Sequence, residues 1–258
     1  MDAQPGETPL GEGGGIFALS RRVRVWPRAN DLVLVVCCRT GHGNTHAGAV
    51  FRDAAGRWMM FHQAWHKTTR YEPLDDAICD MDALGFSFAT VGYPSAITAN
   101  LLRYCRSIAS MPQSIPFAFG IDDEAGWDEE TRRLHMPHGK GLTCVNFVML
   151  LFKNAGLVVL DRADWPHRLE DVAFQRQTLS GLERWCIQQS PDKRLTDEDR
   201  AHLLAVKAEI DSGCVRIRPE ELLGAVLSER VTPTHEDAIP AGVVVSGIVD
   251  AAARAAGR

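Results

Sequence analysis

The stretch GKGLTCVNFVMLLFKNAG, residues 139–156, joins a glycine-rich start, a cysteine and a long apolar run. Apolar residues follow Cys144 at three, four, seven and eleven positions, which places them on the same face of an α-helix. The pattern predicts a helix over residues 142–155, closed by Gly156. The apolar face must pack on another layer, and the cysteine at the helix start would point toward that layer.

A cysteine at this position allows two interpretations. Free cysteine packs well in protein cores, so a structural role is one of them. The other is catalytic, because the N–H groups and the dipole at a helix start favour a thiolate and can donate to an oxyanion. It predicts a thiol pKa below the free value of about 8.5. It also places Gly141 and Thr143 in the binding site, since glycine lets a backbone or a substrate come close.

Three strands are predicted upstream of this helix. The valine-rich residues 31–39 predict a buried strand, and residues 45–53 and 57–65 predict a hairpin. His46 opens the first strand of the hairpin and His62 lies on the second, each in an otherwise apolar row of alternating residues. A histidine in such a row needs a polar partner, and a base with a group that orients it satisfies both histidines.

The neighbours of the two histidines supply candidate binding residues. The segment GHGNT, residues 41–45, leads into the first histidine and is expected to help hold an oxyanion. Asn44 and Thr45 are the candidates within it. Gln63 is a substitute for the orienting residue, although alternation places it on the other side of its strand from His62.

The motif HAGAVFRDAAGRWMMFHQA, residues 46–64, is followed by GLTCVNFVMLLF, residues 141–152. Together they resemble the circularly permuted papain-like hydrolases, which include the NlpC-type permuted amidases and the lecithin:retinol acyltransferase group. The resemblance covers residues 30–156. It implies an α+β fold with a papain-like core in permuted order, in which an antiparallel sheet packs on the cysteine-bearing helix.

The resemblance also implies roles for three residues. Cys144 matches the nucleophile, His46 the base and His62 the residue that orients the base. The implied reaction is acyl transfer through a thioester, with a peptide, isopeptide or other acyl group as substrate and no cofactor. Thr143 stands where the acyltransferase branch usually has asparagine, which favours a hydrolase over an acyltransferase with a lipid or amine acceptor.

Composition limits the partners and the compartment. The chain has 258 residues and a net charge of -5, which argues against nucleic-acid binding through general basicity. Its seven cysteines include no CxxC pair, so a reducing compartment is expected rather than a disulfide framework or a zinc ribbon. No signal peptide and no apolar run of about 20 residues is visible. The sequence therefore predicts a cytoplasmic protein, or one exported by a route without a classical signal, and no integral membrane segment.

Changes in amino-acid composition along the chain predict a division into three parts. Residues 1–15 are expected to be disordered, residues 16–160 to form the catalytic domain, and residues 161–258 to form a helical C-terminal extension packed on it. An amphipathic helix is expected to begin at Ser95 and a short one at Pro219. The remaining partner that the sequence allows is a protein bound through the C-terminal helices.

Three alternatives stay open at this level. The first is the unpermuted order, with Cys37 or Cys38 as the nucleophile and a later histidine as the base. The second is a papain-like scaffold that binds without catalysis. The third is a zinc site. Its candidate ligands are the HxxxH pair His62 and His66, the HxxH pair His135 and His138, and the thiols Cys79 and Cys144.

Overall fold

The protein has an α+β fold, in which helices cover an antiparallel sheet on both faces. A computed structural model describes residues 8–9, 15–20, 33–83, 85–90, 95–111, 113–120, 125–128, 130–131, 133–137, 139–228 and 232–256. The predicted class and the antiparallel sheet are confirmed at this level.

The main sheet has seven strands in the order β1-β2-β7-β3-β4-β5-β6, with every neighbouring pair antiparallel. Its strands are β1 (Thr8–Pro9), β2 (Gly15–Ser20), β3 (Val33–Arg39), β4 (Thr45–Arg52), β5 (Trp58–Trp65), β6 (Thr68–Pro73) and β7 (Gly85–Thr90). A separate ribbon pairs β8 (Gly126–Asp128) with β9 (Arg133–His135).

Seven helices lie within the described residues. They are α1 (Leu74–Asp80), α2 (Ser95–Ala109), α3 (Cys144–Asn154), α4 (Leu169–Gln189), α5 (Asp197–Asp211), α6 (Pro219–Leu227) and α7 (His235–Ala256). The helices predicted to begin at Ser95 and Pro219 are confirmed, and the helix predicted over residues 142–155 is α3.

Strand β3 lies in the middle of the sheet and is buried on both faces, which explains its unbroken apolar sequence. Val35 and Cys37 belong to the larger core, which α2, α3, α6 and α7 cover. Leu34 and Val36 belong to a smaller core, which α1 covers on the opposite face. The sheet therefore has an α3 face and an α1 face.

The β4–β5 hairpin positions both histidines. Asp53 stabilises its turn, because the Asp53 Oδ1 accepts hydrogen bonds of 2.9 Å from the N–H groups of Ala55 and Arg57. Direct pairing of the two strands extends only from the turn to Ala49 and Phe61. The start of β4 and the end of β5 are not paired with each other.

Helix α3 is fixed at its start by polar contacts and close packing. The Thr143 hydroxyl accepts a hydrogen bond of 3.1 Å from the Asn146 N–H, as an N-cap does. The Asn146 amide donates to the Phe119 carbonyl at 3.0 Å. A Cβ at Gly141 would lie 2.3 Å from the Pro116 carbonyl oxygen, so glycine permits this approach of two backbone segments. These contacts position Cys144 beside the start of β4, next to the Ala47 N–H.

The C-terminal helices belong to the same core as the sheet. Leu222 and Leu223 of α6 and Val245 and Val249 of α7 are buried in the larger core with the residues of β3 and β4. Helix α7 is long and apolar enough to cross a membrane by length and composition alone. One such helix is weak evidence for a membrane span, so the structure shows no clear integral membrane segment among the residues it describes.

Two of the residues expected to be disordered, Thr8–Pro9, form β1, and Gly15 is paired with them. The other residues of the segment 1–14 lie outside the described part of the chain.

Candidate functional site

A cleft of about 620 Å³ opens where β4 and β5 separate. Cys144, His46 and His62 all line this cleft. Helix α4 forms a wall with side chains that include Phe174, and Arg216, from the segment between α5 and α6, lies beside that wall. The three residues predicted to be catalytic therefore share one cavity.

Cys144 is the first residue of α3 and is partly exposed. Burial of the sulfur beside the sheet raises the pKa of the Cys144 thiol. The Ala47 N–H and the positive charge of Arg216 act in the opposite direction, but their effect is smaller. The prediction of a lowered pKa is therefore wrong, because desolvation outweighs the helix start. The resting thiol is protonated at neutral pH and needs a base to become a nucleophile.

Two hydrogen bonds connect a carboxylate to the histidine pair. His46 Nε2 lies 2.8 Å from His62 Nδ1, and His62 Nε2 lies 3.0 Å from Glu72 Oε1. The Glu72 carboxylate only accepts, so in its neutral form His62 carries its one proton on Nε2 and presents a lone pair at Nδ1. His46 must then donate from its own Nε2. We assign these tautomers from the hydrogen-bond pattern, and they leave Nδ1 of His46 as an unprotonated nitrogen.

His46 is suited to accept a proton only transiently. Burial, followed by the neighbouring His62, lowers the pKa of His46 well below its ordinary value. The imidazole is therefore neutral at rest, and no thiolate–imidazolium pair forms in advance. Among the described residues no hydrogen bond joins the Cys144 thiol to His46. Proton transfer between the two groups would need a contact that the resting structure does not contain.

The thiol and the histidines reach the cleft from opposite faces of the sheet. His46 and His62 share the alternation of Val50 and Met60, which pack on the α1 face. Cys144 packs with the core of the α3 face. Both sets of side chains line one cavity, beyond the point where the pairing of β4 with β5 ends.

A glycine makes room for the histidine pair. A Cβ at Gly48 would lie 3.2 Å from the His62 Cβ and 2.5 Å from the Met60 Cε. Gly48 lies between His46 and Val50 on the same face of β4. Its missing side chain is the space into which His62 fits.

The predicted binding residues have different positions. Asn44, Thr45, Thr143 and Gln63 line the cleft, whereas Gly141 does not. Gly141 permits the close backbone approach to Pro116 already described, and its contact with substrate stays a prediction.

Gln63 has a mainly structural set of contacts. Its amide donates to the carbonyls of Trp65 at 2.6 Å and Ile115 at 2.7 Å. Within the described chain the side chain hydrogen-bonded to His46 is that of His62, and the hydrogen bonds of the Gln63 side chain go to backbone carbonyls instead. The substitute role considered for Gln63 is therefore not supported.

Sequence reasoning missed Glu72 and the α4 wall. Glu72 lies on β6 opposite Met60, a position from which it reaches His62 diagonally. The signal that could have found it is the pattern TTRYEP, residues 68–73, which alternates and is separated from the end of β5 by two residues. Arg216 carried no such signal, because only the tertiary fold brings it beside Cys144.

The alternative with Cys37 or Cys38 as nucleophile has no geometric support. Both are completely buried in β3. Burial raises the pKa of both thiols, that of Cys37 strongly. Neither lies at a helix start, so nothing nearby favours their ionised form.

The zinc ligand sets considered from the sequence do not come together among the described residues. His62 uses both ring nitrogens in the contacts with His46 and Glu72. His135 is exposed on β9, and Cys79 is exposed on α1. His138 lies outside the described residues.

A different group, His66, Cys186 and Asp199, has its potential ligand atoms within 4.8 Å of one another. The Nδ1 of His66, however, accepts a hydrogen bond of 3.1 Å from the Phe117 N–H. A metal on Nε2 would leave this ring without any proton, whereas a ligating histidine normally donates from its other nitrogen. The geometry of His66 argues against a metal at this cluster.

No protein-family model, curated protein or solved structure matches this chain.

Proposed function

We propose that the chain is a cysteine-dependent hydrolase with a papain-like core in permuted order, acting on peptide, isopeptide or other amide bonds. The observation that carries the proposal is the chain of contacts Glu72–His62–His46, which ends in a lone pair at His46 Nδ1. That nitrogen belongs to the same cleft as a thiol at a helix start. A base, a group that orients it and a nucleophile are the components of a catalytic triad.

Acylation begins from neutral partners. His46 Nδ1 accepts the thiol proton of Cys144 while the sulfur attacks the carbonyl carbon of the substrate. The N–H groups at the start of α3 stabilise the oxyanion that forms. The C–N bond then breaks, and the proton passes from His46 to the departing amine, which leaves a thioester on Cys144.

Deacylation uses the same histidine. A water molecule gives its proton to His46 Nδ1 and attacks the thioester carbonyl. The C–S bond breaks, the proton returns to the sulfur, and the carboxylic acid is released. Glu72 stabilises the positive charge that His46 and His62 share while the proton is held.

The compartment is part of the proposal. All seven cysteines are unpaired, including the exposed Cys79, which suits a reducing environment such as the cytoplasm. A cytoplasmic amide or isopeptide is therefore the first substrate class to examine.

The proposal is tested by labelling with probes that carry a reactive acyl group on peptide, isopeptide-like or lipid scaffolds, followed by mass mapping of the adduct. At least one probe type should acylate Cys144 faster than the exposed Cys79. Labelling at Cys144 should fall by about 10²-fold in His46→Ala, because general-base catalysis contributes about that much.

Cys79→Ala is the matched control and should leave Cys144 labelling at the wild-type rate. Equal rates at Cys144 and Cys79 with every probe, unaffected by His46→Ala, would mean a non-catalytic scaffold.

A further inference from the structure

Arg216 is the cationic side chain whose charge acts on the candidate nucleophile, Cys144. It lines the cleft with Cys144, and its charge acts on the thiol. Its side chain is 15% exposed, so the guanidinium is largely shielded from solvent. A shielded charge interacts more strongly with a ligand than a solvated one does.

The guanidinium is held in place from one side. Its Nη1 donates to Asp171 Oδ1 at 2.9 Å, and its carbon lies 3.7 Å from the centre of the Phe174 ring. Among the described residues this is its one hydrogen bond. The remaining N–H groups of Arg216 are available to a ligand in the cleft.

The acidic partner of Arg216 is shared. Asp171 also accepts from Arg168 at 2.8 Å and from Arg218 at 3.0 Å. Arg168 has a second partner in Glu221, but Arg216 has only Asp171 within the described chain. Arg218 likewise has a second partner in Glu170, so Arg216 is the one of these three arginines whose ion pair with Asp171 stands alone among the described residues.

Helix α4 contributes one further cationic side chain to the cleft. Arg184 of α4 lines the cleft and has no ion pair with any described residue. On the other side of the cleft, Arg70 is neutralised by Asp80 at 2.6 Å. The positive charge of Arg216 and Arg184 is a local feature, since the whole chain has a net charge of -5.

We propose that Arg216 binds an anionic group of the substrate, a carboxylate located a few bonds from the scissile carbonyl. This proposal rests on the proposed thiol chemistry at Cys144 and narrows its substrates to acidic acyl compounds. A guanidinium matches a carboxylate by two parallel N–H···O bonds. The Phe174 ring holds the guanidinium plane in position, so little conformational freedom is lost on binding.

The test compares two alkylating reagents of nearly equal size, iodoacetate and iodoacetamide, which differ by a carboxylate in place of a carboxamide. For each variant the rate of alkylation of Cys144 by iodoacetate is divided by the rate with iodoacetamide. Both rates are measured by mass mapping, with Cys79 as an internal reference. The ratio should be higher at Cys144 than at Cys79. In Arg216→Gln it should fall by about tenfold, the effect of one charge-assisted contact. Arg216→Lys should lie between the two, because it keeps the charge and loses the fork.

Arg218→Gln is the matched control, since it removes another arginine from Asp171 without touching the cleft. It should keep the wild-type ratio. An unchanged ratio in Arg216→Gln, or an equal fall in Arg218→Gln, overturns the proposal. If Arg216→Gln does not fold, the comparison of Arg216→Lys with Arg218→Gln decides in the same way. Acyl-probe labelling that still depends on His46 would show that the anion site alone had failed.

Discussion

At the scale of single residues, Glu72 determines where two protons lie. It accepts from His62 Nε2 at 3.0 Å, and that contact fixes the tautomer of His62 and, through it, that of His46. In another tautomer His46 would present an N–H to the thiol instead of a lone pair. In the proposed acyl-transfer reaction Glu72 is therefore a positioning residue, which acts only through the two histidines.

Substituting Glu72 should lower the rate of acylation without changing the fold. Glu72→Gln can donate to His62 as well as accept, so it permits the wrong tautomer, and we expect a loss of about 10-fold to 10²-fold. His62→Ala should cost more than this and His46→Ala the most, since only His46 transfers the proton. Acyl-probe labelling of Cys144 and thermal melts would be measured for each variant. A Glu72→Gln protein with the wild-type rate and an unchanged pH profile would contradict the relay.

The ionisation of Cys144 gives a second prediction. Because burial raises the pKa of this thiol, alkylation by iodoacetamide should be slow at neutral pH and should rise at higher pH than for an exposed thiol. His46→Ala should leave this profile nearly unchanged, because the neutral imidazole does not stabilise a thiolate in the resting site. The measurement is the alkylation rate of Cys144 between about pH 6 and pH 10. A plateau below about pH 7 would indicate a preformed ion pair instead.

At the scale of elements, the sequence predicted the strands and helices that have strong local patterns. The hairpin β4–β5 and the helix α3 were recognised because alternation and helical periodicity are local. Strand β6 was missed, since its residues 68–73 are mainly polar and it lies at the edge of the sheet. The pairing of β7 between β2 and β3 is a non-local choice that no window of sequence contains.

The candidate site also has a part that the sequence predicted and a part that it did not. Its two histidines and its cysteine were found from their positions on predicted elements. The Glu72 contact depends on the β5–β6 register and on a shift between Gln63 and Trp65, which the sequence does not reveal. The raised pKa of Cys144 depends on how deeply the sheet buries the sulfur, and that is a property of packing.

Helices α6 and α7 pack so closely that glycine is required at their crossing. A Cβ at Gly224 would lie 2.2 Å from the Ala238 carbonyl oxygen, and backbone atoms cannot move aside easily. Gly224→Ala should therefore destabilise the protein by about 1–3 kcal/mol or more. Gly247→Ala is the matched control, because nothing lies within 4 Å of its added Cβ. It should stabilise the protein by about 0.5–1 kcal/mol through higher helix propensity.

Urea denaturation of the two glycine variants at equal protein concentration measures both changes. Destabilisation by Gly247→Ala equal to that by Gly224→Ala would show that the α6–α7 crossing is not the reason.

At the scale of the whole molecule, residues after position 160 line part of the candidate site. Helix α4 supplies a wall of the cleft, and the segment before α6 supplies Arg216. Helices α6 and α7 share one core with the sheet. The boundary expected near residue 160 marks a change in amino-acid composition. The larger core, however, contains buried residues from both sides of it. The larger core is what connects the stability of the C-terminal helices to the geometry around Cys144.

Buried neutral histidines make the whole fold sensitive to acid. His66 is completely buried, and burial, followed by His202 and Lys67, lowers its pKa from 6.5 to about 3. Below pH 6.5 the unfolded chain therefore binds a proton that the folded chain refuses. Stability from this group is fully present above pH 6.5 and is lost progressively as the pH falls toward about 3.

His66→Asn removes this titration and keeps an acceptor for the Phe117 N–H. The slope of unfolding free energy against pH, measured by urea denaturation between about pH 6.5 and pH 4.5, should decrease by up to about 1.4 kcal/mol per pH unit. His167→Asn, at an exposed histidine, should retain the wild-type slope. Equal slopes in all three proteins would mean that His66 gains its proton without unfolding. In that case the segment around Phe117 would have to open to solvent in the folded state, because that contact is what occupies the Nδ1 of His66.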